Sequence, residues 1–194
     1  MSKIRKPTRA DISAILSHAA VIRKYRNQTV ISVVTTPRRS KSARKKASND
    51  RFKEANNWAK HVLRDPGMKA LYAKGINGKL SSAHTVAVSD YLQAPVIHYI
   101  NLKDHTGAVG DKIRIKATDN FQVTAVEVTI TNAKGILVEK GQATRYSRKP
   151  AMWSYILTVA NPDLPGTVIS VIARDRPGNT AALEEKIAVE RGAG

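Results

Sequence analysis

The side chains suited to catalysis or metal binding are few and scattered along this chain. Five histidines stand at positions 18, 61, 84, 98 and 105. No two have the His-x-x-x-His spacing that puts both imidazoles on one helical face, and no cysteine is present to complete a zinc site. Ser17 and His18 are neighbours in sequence, which makes no nucleophile and base, because those partners meet in space. Gly75, Gly78, Gly107 and Gly110 lack the Lys-Ser/Thr that follows in a phosphate-binding loop. No Gly-x-Ser-x-Gly elbow occurs. Asp104, Asp111, Asp119, Asp163 and Asp175 fall in turn-rich segments. Clustered loop carboxylates can bind calcium. The paired Asp-x-Asp spacing that favours it is missing, so these residues are read as turn formers that accept backbone N–H groups. The expectation is a protein that is not an enzyme and holds no metal or cofactor.

The charge is the stronger signal. The chain has 194 residues, with 33 Lys+Arg against 15 Asp+Glu, a formal charge of +18. Residues 1–95 hold 20 of the bases and 5 of the acids, a net of +15, and residues 96–194 a net of only +3. Such asymmetry points to a polyanionic partner for the N-terminal half. Arg23, Lys24, Arg26, Arg38, Arg39, Lys41, Arg44, Lys45 and Lys46 form its densest part. Phosphate contacts need only positive charge within reach, so this cluster suffices for non-specific binding of DNA or RNA. No zinc finger, helix-turn-helix or aromatic RNA motif indicates sequence readout. Tyr25 lies between Lys24 and Arg26, and is read as packing on its own hairpin rather than stacking on a base.

Those cations need elements to carry them. Thr8 with Asp11 suggests a helix start, and Ile12, Ile15, Leu16 and Ala19 a helix over 9–20. Residues 21–34 are rich in β-branched side chains with a polar break at 26–28, which predicts two short strands. The basic run 38–49 leads into a long helix whose stripe is Phe52, Ala55, Ala59, Val62 and Leu63, with Trp58 at its edge. Ser40 or Ser42 is its expected cap and Asp65-Pro66-Gly67 its stop. Arg44, Lys45 and Lys46 then sit at a helix N-terminus and oppose its dipole, a misfit that a bound anion would offset. A helix over 68–76 and another capped by Ser81 or Ser82 follow, and Pro95 closes the last.

From residue 96 the hydrophobic period changes from 3.6 to 2. Seven strands are expected near 96–102, 112–117, 123–131, 136–138, 153–159, 168–173 and 180–189, with turn signals between them. That number and spacing is the pattern of a β-sandwich of about 100 residues. Gly110-Asp111-Lys112-Ile113-Arg114-Ile115-Lys116-Ala117-Thr118-Asp119-Asn120, then 123–130, resembles the early strands of bacterial immunoglobulin-like modules. Ala173-Arg174-Asp175-Arg176-Pro177-Gly178-Asn179-Thr180 is similar to their terminal hairpin, and Trp153 and Tyr155 stand where a large core aromatic is needed. The resemblance implies an immunoglobulin-like fold for half the chain and no particular activity. The N-terminal half loosely resembles a basic segment of uncharacterised bacterial and phage-associated proteins, through Pro37, Arg38 to Lys46, Arg51-Phe52-Lys53-Glu54-Ala55 and Asp65-Pro66. No activity comes with that likeness.

The expected fold class is therefore α+β with two domains. Residues 1–95 form a basic, mostly helical region with a short β-hairpin, and residues 96–194 an immunoglobulin-like antiparallel β-sandwich. The leading functional expectation is a non-catalytic binder of nucleic acid or another polyanion. The alternative is a structural or assembly protein, a phage-particle or surface-complex component, whose sandwich contacts a protein partner or a second copy. No apolar run is long enough to span a membrane. The N-terminus lacks a clean signal-peptide cleavage site, so a cytoplasmic location is expected.

Overall fold

The computed structural model describes residues 20–25, 28–33, 43–146 and 148–188, with side chains from Ala43 onward. Of the helix expected over 9–20, residues 9–19 lie outside the described residues and Ala20 belongs to a strand. The chain divides into two compact units, 1–48 and 49–194. The division falls inside the first helix described.

In the first unit, β1 (Ala20–Tyr25) pairs antiparallel with β2 (Gln28–Val33), with Arg23 opposite Val30 and Lys24 opposite Thr29. These are the two strands that the β-branched run predicts. Helix α1 (Ala43–Val62) then crosses the division.

In the second unit, α1 buries only its small residues, Ala55 and Ala59. Phe52, read from the sequence as part of the buried stripe, is 53% exposed. Asp65 does more than stop α1. Its side chain accepts the N–H of Met68 at 3.0 Å and caps α2 (Pro66–Ala73), with Pro66 in the first turn where its missing N–H costs nothing. Helix α3 (Ala83–Leu92) opens on a reciprocal capping box between Ser82 and Thr85. The helices share one core in which Trp58, Tyr72 and Tyr91 meet edge-on or tilted, and Tyr72 stacks on Phe121 of the sandwich with centroids 4.6 Å apart.

Among the described residues the sandwich has eight strands rather than seven. They are β3 (Val96–Asn101), β4 (Lys112–Thr118), β5 (Ala125–Thr131), β6 (Leu137–Gln142), β7 (Thr144–Arg145), β8 (Met152–Ile156), β9 (Val168–Arg174) and β10 (Thr180–Lys186). Two residues are too few for alternation to reveal, which is why β7 is invisible in the sequence. The strands form two antiparallel sheets, in the orders β3-β4-β8-β7 and β10-β9-β5-β6. Ile113, Ile115, Trp153 and Tyr155 of one sheet and Val126, Val128, Ile130, Ile169 and Val171 of the other fill a single core. The period-2 burial of β4, β5 and β9 is the alternation read from their sequence.

Candidate functional site

Of the nine basic residues singled out, Arg44, Lys45 and Lys46 have described side chains. All three are exposed, in the first turn of α1, and that turn contains no acid. Arg23 and Lys24 lie on β1. Arg26, Arg38, Arg39 and Lys41 lie outside the described residues. A helix start carries positive partial charge, so three cations there raise the local potential further and fit a phosphate or carboxylate partner.

A second constellation went unread in the sequence. Asp90, in the last turn of α3, is wholly buried. A carboxylate at the negative end of a helix dipole is itself a misfit, and that was the available signal. Tyr72 donates its hydroxyl to Asp90 Oδ2 at 2.6 Å. Asp119 and Asp175 each bring a carboxylate oxygen to within 4.8 Å of one offered by Asp90, so these three residues come close enough to share a cation.

Hydrogen bonds account for most of their oxygens. Asp175 accepts the N–H groups of Gly178 and Asn179 through Oδ1 and the Asn179 side chain through Oδ2. Asp119 Oδ2 accepts from Phe121 and Gln122. These are the turn-forming roles expected of both residues. Asp90 Oδ1 and Asp119 Oδ1 are left buried without a donor. Burial pushes the Asp90 carboxyl up to about 7, against the hydrogen bond from Tyr72, with Asp119 and Asp175 adding to the rise. The Tyr72 hydroxyl is raised in turn, first by burial and then by Asp90. Asp175 is also raised by its burial, opposed by Asn179 and Gly178. Arg176 is the nearby cation, and its Nη2 donates to Gln122.

Asn179 joins this cluster to the helix. Its side-chain amide reaches the carbonyls of Asp90 (3.3 Å), Tyr91 (3.1 Å) and Gln93 (3.3 Å), while Arg51 of α1 donates to the carbonyl of Leu92 at 3.1 Å. The carbonyls that the end of α3 leaves without intrahelical partners are thus served by distant side chains. The chemistry of this cluster is that of a proton-holding latch between α3 and the sandwich.

A third buried group is His105, with neither ring nitrogen hydrogen-bonded and Nδ1 3.9 Å from Asp111 Oδ2. Desolvation lowers its basicity, against the pull of Asp111 and Glu139, so the ring is neutral at pH 7. Among the described residues, no helix is long and apolar enough to cross a membrane.

No family model matches the sequence, and no curated protein does. Among solved structures the chain is similar to CopC from Methylosinus trichosporium OB3b, at 14% identity over 52% of this chain and 99% of that one, with a TM-score of 0.37. It is also similar to an engineered protein from the Northeast Structural Genomics Consortium, at 18% identity over 48% of this chain and 20% of that one, with a TM-score of 0.35. Likenesses this loose carry no functional argument.

Proposed function

We propose that this is a non-catalytic binding protein whose basic N-terminal half engages a polyanion, DNA or RNA, without reading its sequence. The carrying observation is the acid-free first turn of α1, with Arg44, Lys45 and Lys46 exposed on it. The reading treats residues 1–95 as the basic module and 96–194 as an immunoglobulin-like module, in the cytoplasm. The orders β3-β4-β8-β7 and β10-β9-β5-β6 support the immunoglobulin-like assignment, because the first, second, sixth and fifth strands share one sheet and the eighth, seventh, third and fourth the other.

The test is binding of a fluorescent duplex to the full chain and to the triple variant Arg44→Ala, Lys45→Ala, Lys46→Ala across salt concentration. Removing one phosphate-binding cation lowers the log–log salt slope by about 0.9. An unchanged slope and affinity would remove this helix end from the interface.

One observation favours the assembly reading. Ile136, just before the edge strand β6, and Leu137, its first residue, are 59% and 57% exposed. Exposed apolar edges invite pairing with another chain. A concentration-dependent oligomer that Leu137→Lys dissolves would bring that reading forward.

A further inference from the structure

The outer faces of the two sheets differ in charge. On the β10-β9-β5-β6 sheet, Lys140, Arg174 and Lys186 are interspersed with Glu127 and Glu184, and Lys140 pairs with Glu127 at 2.9 Å. On the other sheet, Lys112, Arg114 and Lys116 follow one another on the outward side of β4, and Arg148 and Lys149 lie on the loop between β7 and β8. Asp104 is the carboxylate that answers them, pairing with Arg114 at 2.8 Å with both side chains in solvent. Such an exposed pair is weak and yields readily to a phosphate. Lys112, Lys116, Arg148 and Lys149 have no carboxylate partner among the described residues.

Two tyrosines stand on the same face. Tyr99 is opposite Lys116, and Lys116 is opposite Met152. The N–H of Tyr146 bonds the carbonyl of Met152 and carries the row past β7. The line Tyr99–Lys116–Met152–Tyr146 therefore crosses the whole sheet, and the tyrosine residues at its two ends are 42% and 40% exposed. Beside Tyr146, a pocket of about 320 Å³ is lined by Arg114, Tyr146, Arg148, Lys149 and Met152. The loop is held in shape by Arg145 Nε on the carbonyl of Pro150 (2.8 Å) and by Met152 N–H on that of Lys149 (2.8 Å). Arg145 itself lies over the Trp153 ring.

Cations within reach of a backbone, interleaved with open aromatic rings, are what a single-stranded nucleic acid requires: phosphates meet the charges and bases stack on the rings. A duplex keeps its base faces covered, and an acidic peptide has none to stack. We propose that the β3-β4-β8-β7 face is a single-strand-binding surface, with Tyr146 and Tyr99 as stacking platforms and Arg148, Lys149, Arg114 and Lys116 as phosphate contacts. The inference extends the polyanion reading to a second surface and does not depend on the cations of α1.

The test uses the full chain and three fluorescent probes: a dT oligonucleotide, an abasic strand of equal length, and a duplex. Tyr146→Ala, Tyr99→Ala and the pair Arg148→Ala, Lys149→Ala alter exposed groups, and thermal melting verifies that each variant folds. The wild type is expected to prefer dT to the abasic strand by about tenfold or more, from the stacking of one or two bases. Tyr146→Ala should lose most of that preference with its salt slope unchanged. The Arg148 and Lys149 pair should keep the preference and lose about 1–2 units of slope. Equal binding of dT and the abasic strand, or an unaltered preference in both tyrosine variants, overturns the proposal. So does duplex bound as tightly as dT by the variant that lacks the three α1 cations. The α1 triple variant separates the two readings: loss of slope there with no base preference leaves only the N-terminal interface, and the reverse leaves only this face.

Discussion

Tyr72 and Asp90 share a buried hydrogen bond of 2.6 Å, made by a helix-α2 side chain to one at the far end of α3. The tyrosine ring lies on Phe121, and the carboxyl faces Asp119 and Asp175 from the sandwich loops. The helices and the sheets are therefore fastened at one polar point inside an aromatic wall. That point titrates.

Burial holds the Asp90 carboxyl at about 7, above its value in the unfolded chain. The native state thus favours the proton, and stability is greatest below the unfolded value and declines as pH rises toward and through 7. Asp90→Asn mimics the protonated form and keeps an acceptor for Tyr72. It should flatten this decline and stabilise the protein at pH 8 by about 1–3 kcal/mol. Thermal melting of both proteins from pH 5 to 8 checks this, and parallel curves would refute it.

His105 behaves in the opposite sense. Its basicity is lowered by burial, so the unfolded chain takes up the proton first and stability falls as pH drops below about 6.5. His105→Leu should remove this acid-side loss while leaving the Asp90 dependence intact. The readout is denaturant unfolding at pH 7 and pH 5, and an equal drop in variant and wild type would count against it.

The two N–H groups of the Asn179 side chain are shared among the carbonyls of Asp90 and Tyr91 in α3, that of Gln93 just beyond it, and Asp175 Oδ2. Replacing Asn179 by Ala leaves the part-buried carbonyls of Asp90 and Tyr91 and Asp175 Oδ2 without this donor and should cost about 2–3 kcal/mol. Arg51→Ala removes one hydrogen bond at the neighbouring Leu92 carbonyl and should cost about 1 kcal/mol. Chemical denaturation ranks the two, and a smaller loss for Asn179→Ala would contradict the latch.

Gly107 and Gly110 both have positive φ, at 86° and 93°. A Cβ at Gly110 meets open space, whereas one at Gly107 runs into the backbone oxygen of Asn161. Both Ala variants suffer the backbone strain of about 1 kcal/mol, and Gly107→Ala adds a clash that lifts its cost above roughly 3 kcal/mol. Similar melting temperatures for the two would show that the loop gives way.

Much of this architecture is written in local signals. Ser82, one of the two caps offered for α3, the alternation of β4, β5 and β9, and the core aromatics Trp153 and Tyr155 all stand where the sequence places them, whereas Asp65, read only as the stop of α1, also caps α2. What escapes is decided by distant partners. Phe52 fits the apolar period of α1, yet only Ala55 and Ala59 are small enough to sit fully beneath the neighbouring helices. Asp90 gives only the signal of an acid at the negative end of a helix, because Tyr72, Asp119 and Asp175 reach it only after folding. The outward row of the β3-β4-β8-β7 sheet is also hidden, since cross-strand register joins Tyr99 to Tyr146 across 47 residues of chain.

The fork of Asn179 onto the end of α3 has a kinetic meaning. A helix of ten residues is marginal by itself in water. Besides Arg51, its closing partner is Asn179, 86–89 positions further along the chain than the carbonyls it reaches. The last turn of α3 is completed only once the β9–β10 hairpin exists, so a local element inherits the slow timetable of a long-range one. In hydrogen exchange, the amides of α3 and of the β9–β10 hairpin should open together as one unit rather than fray separately.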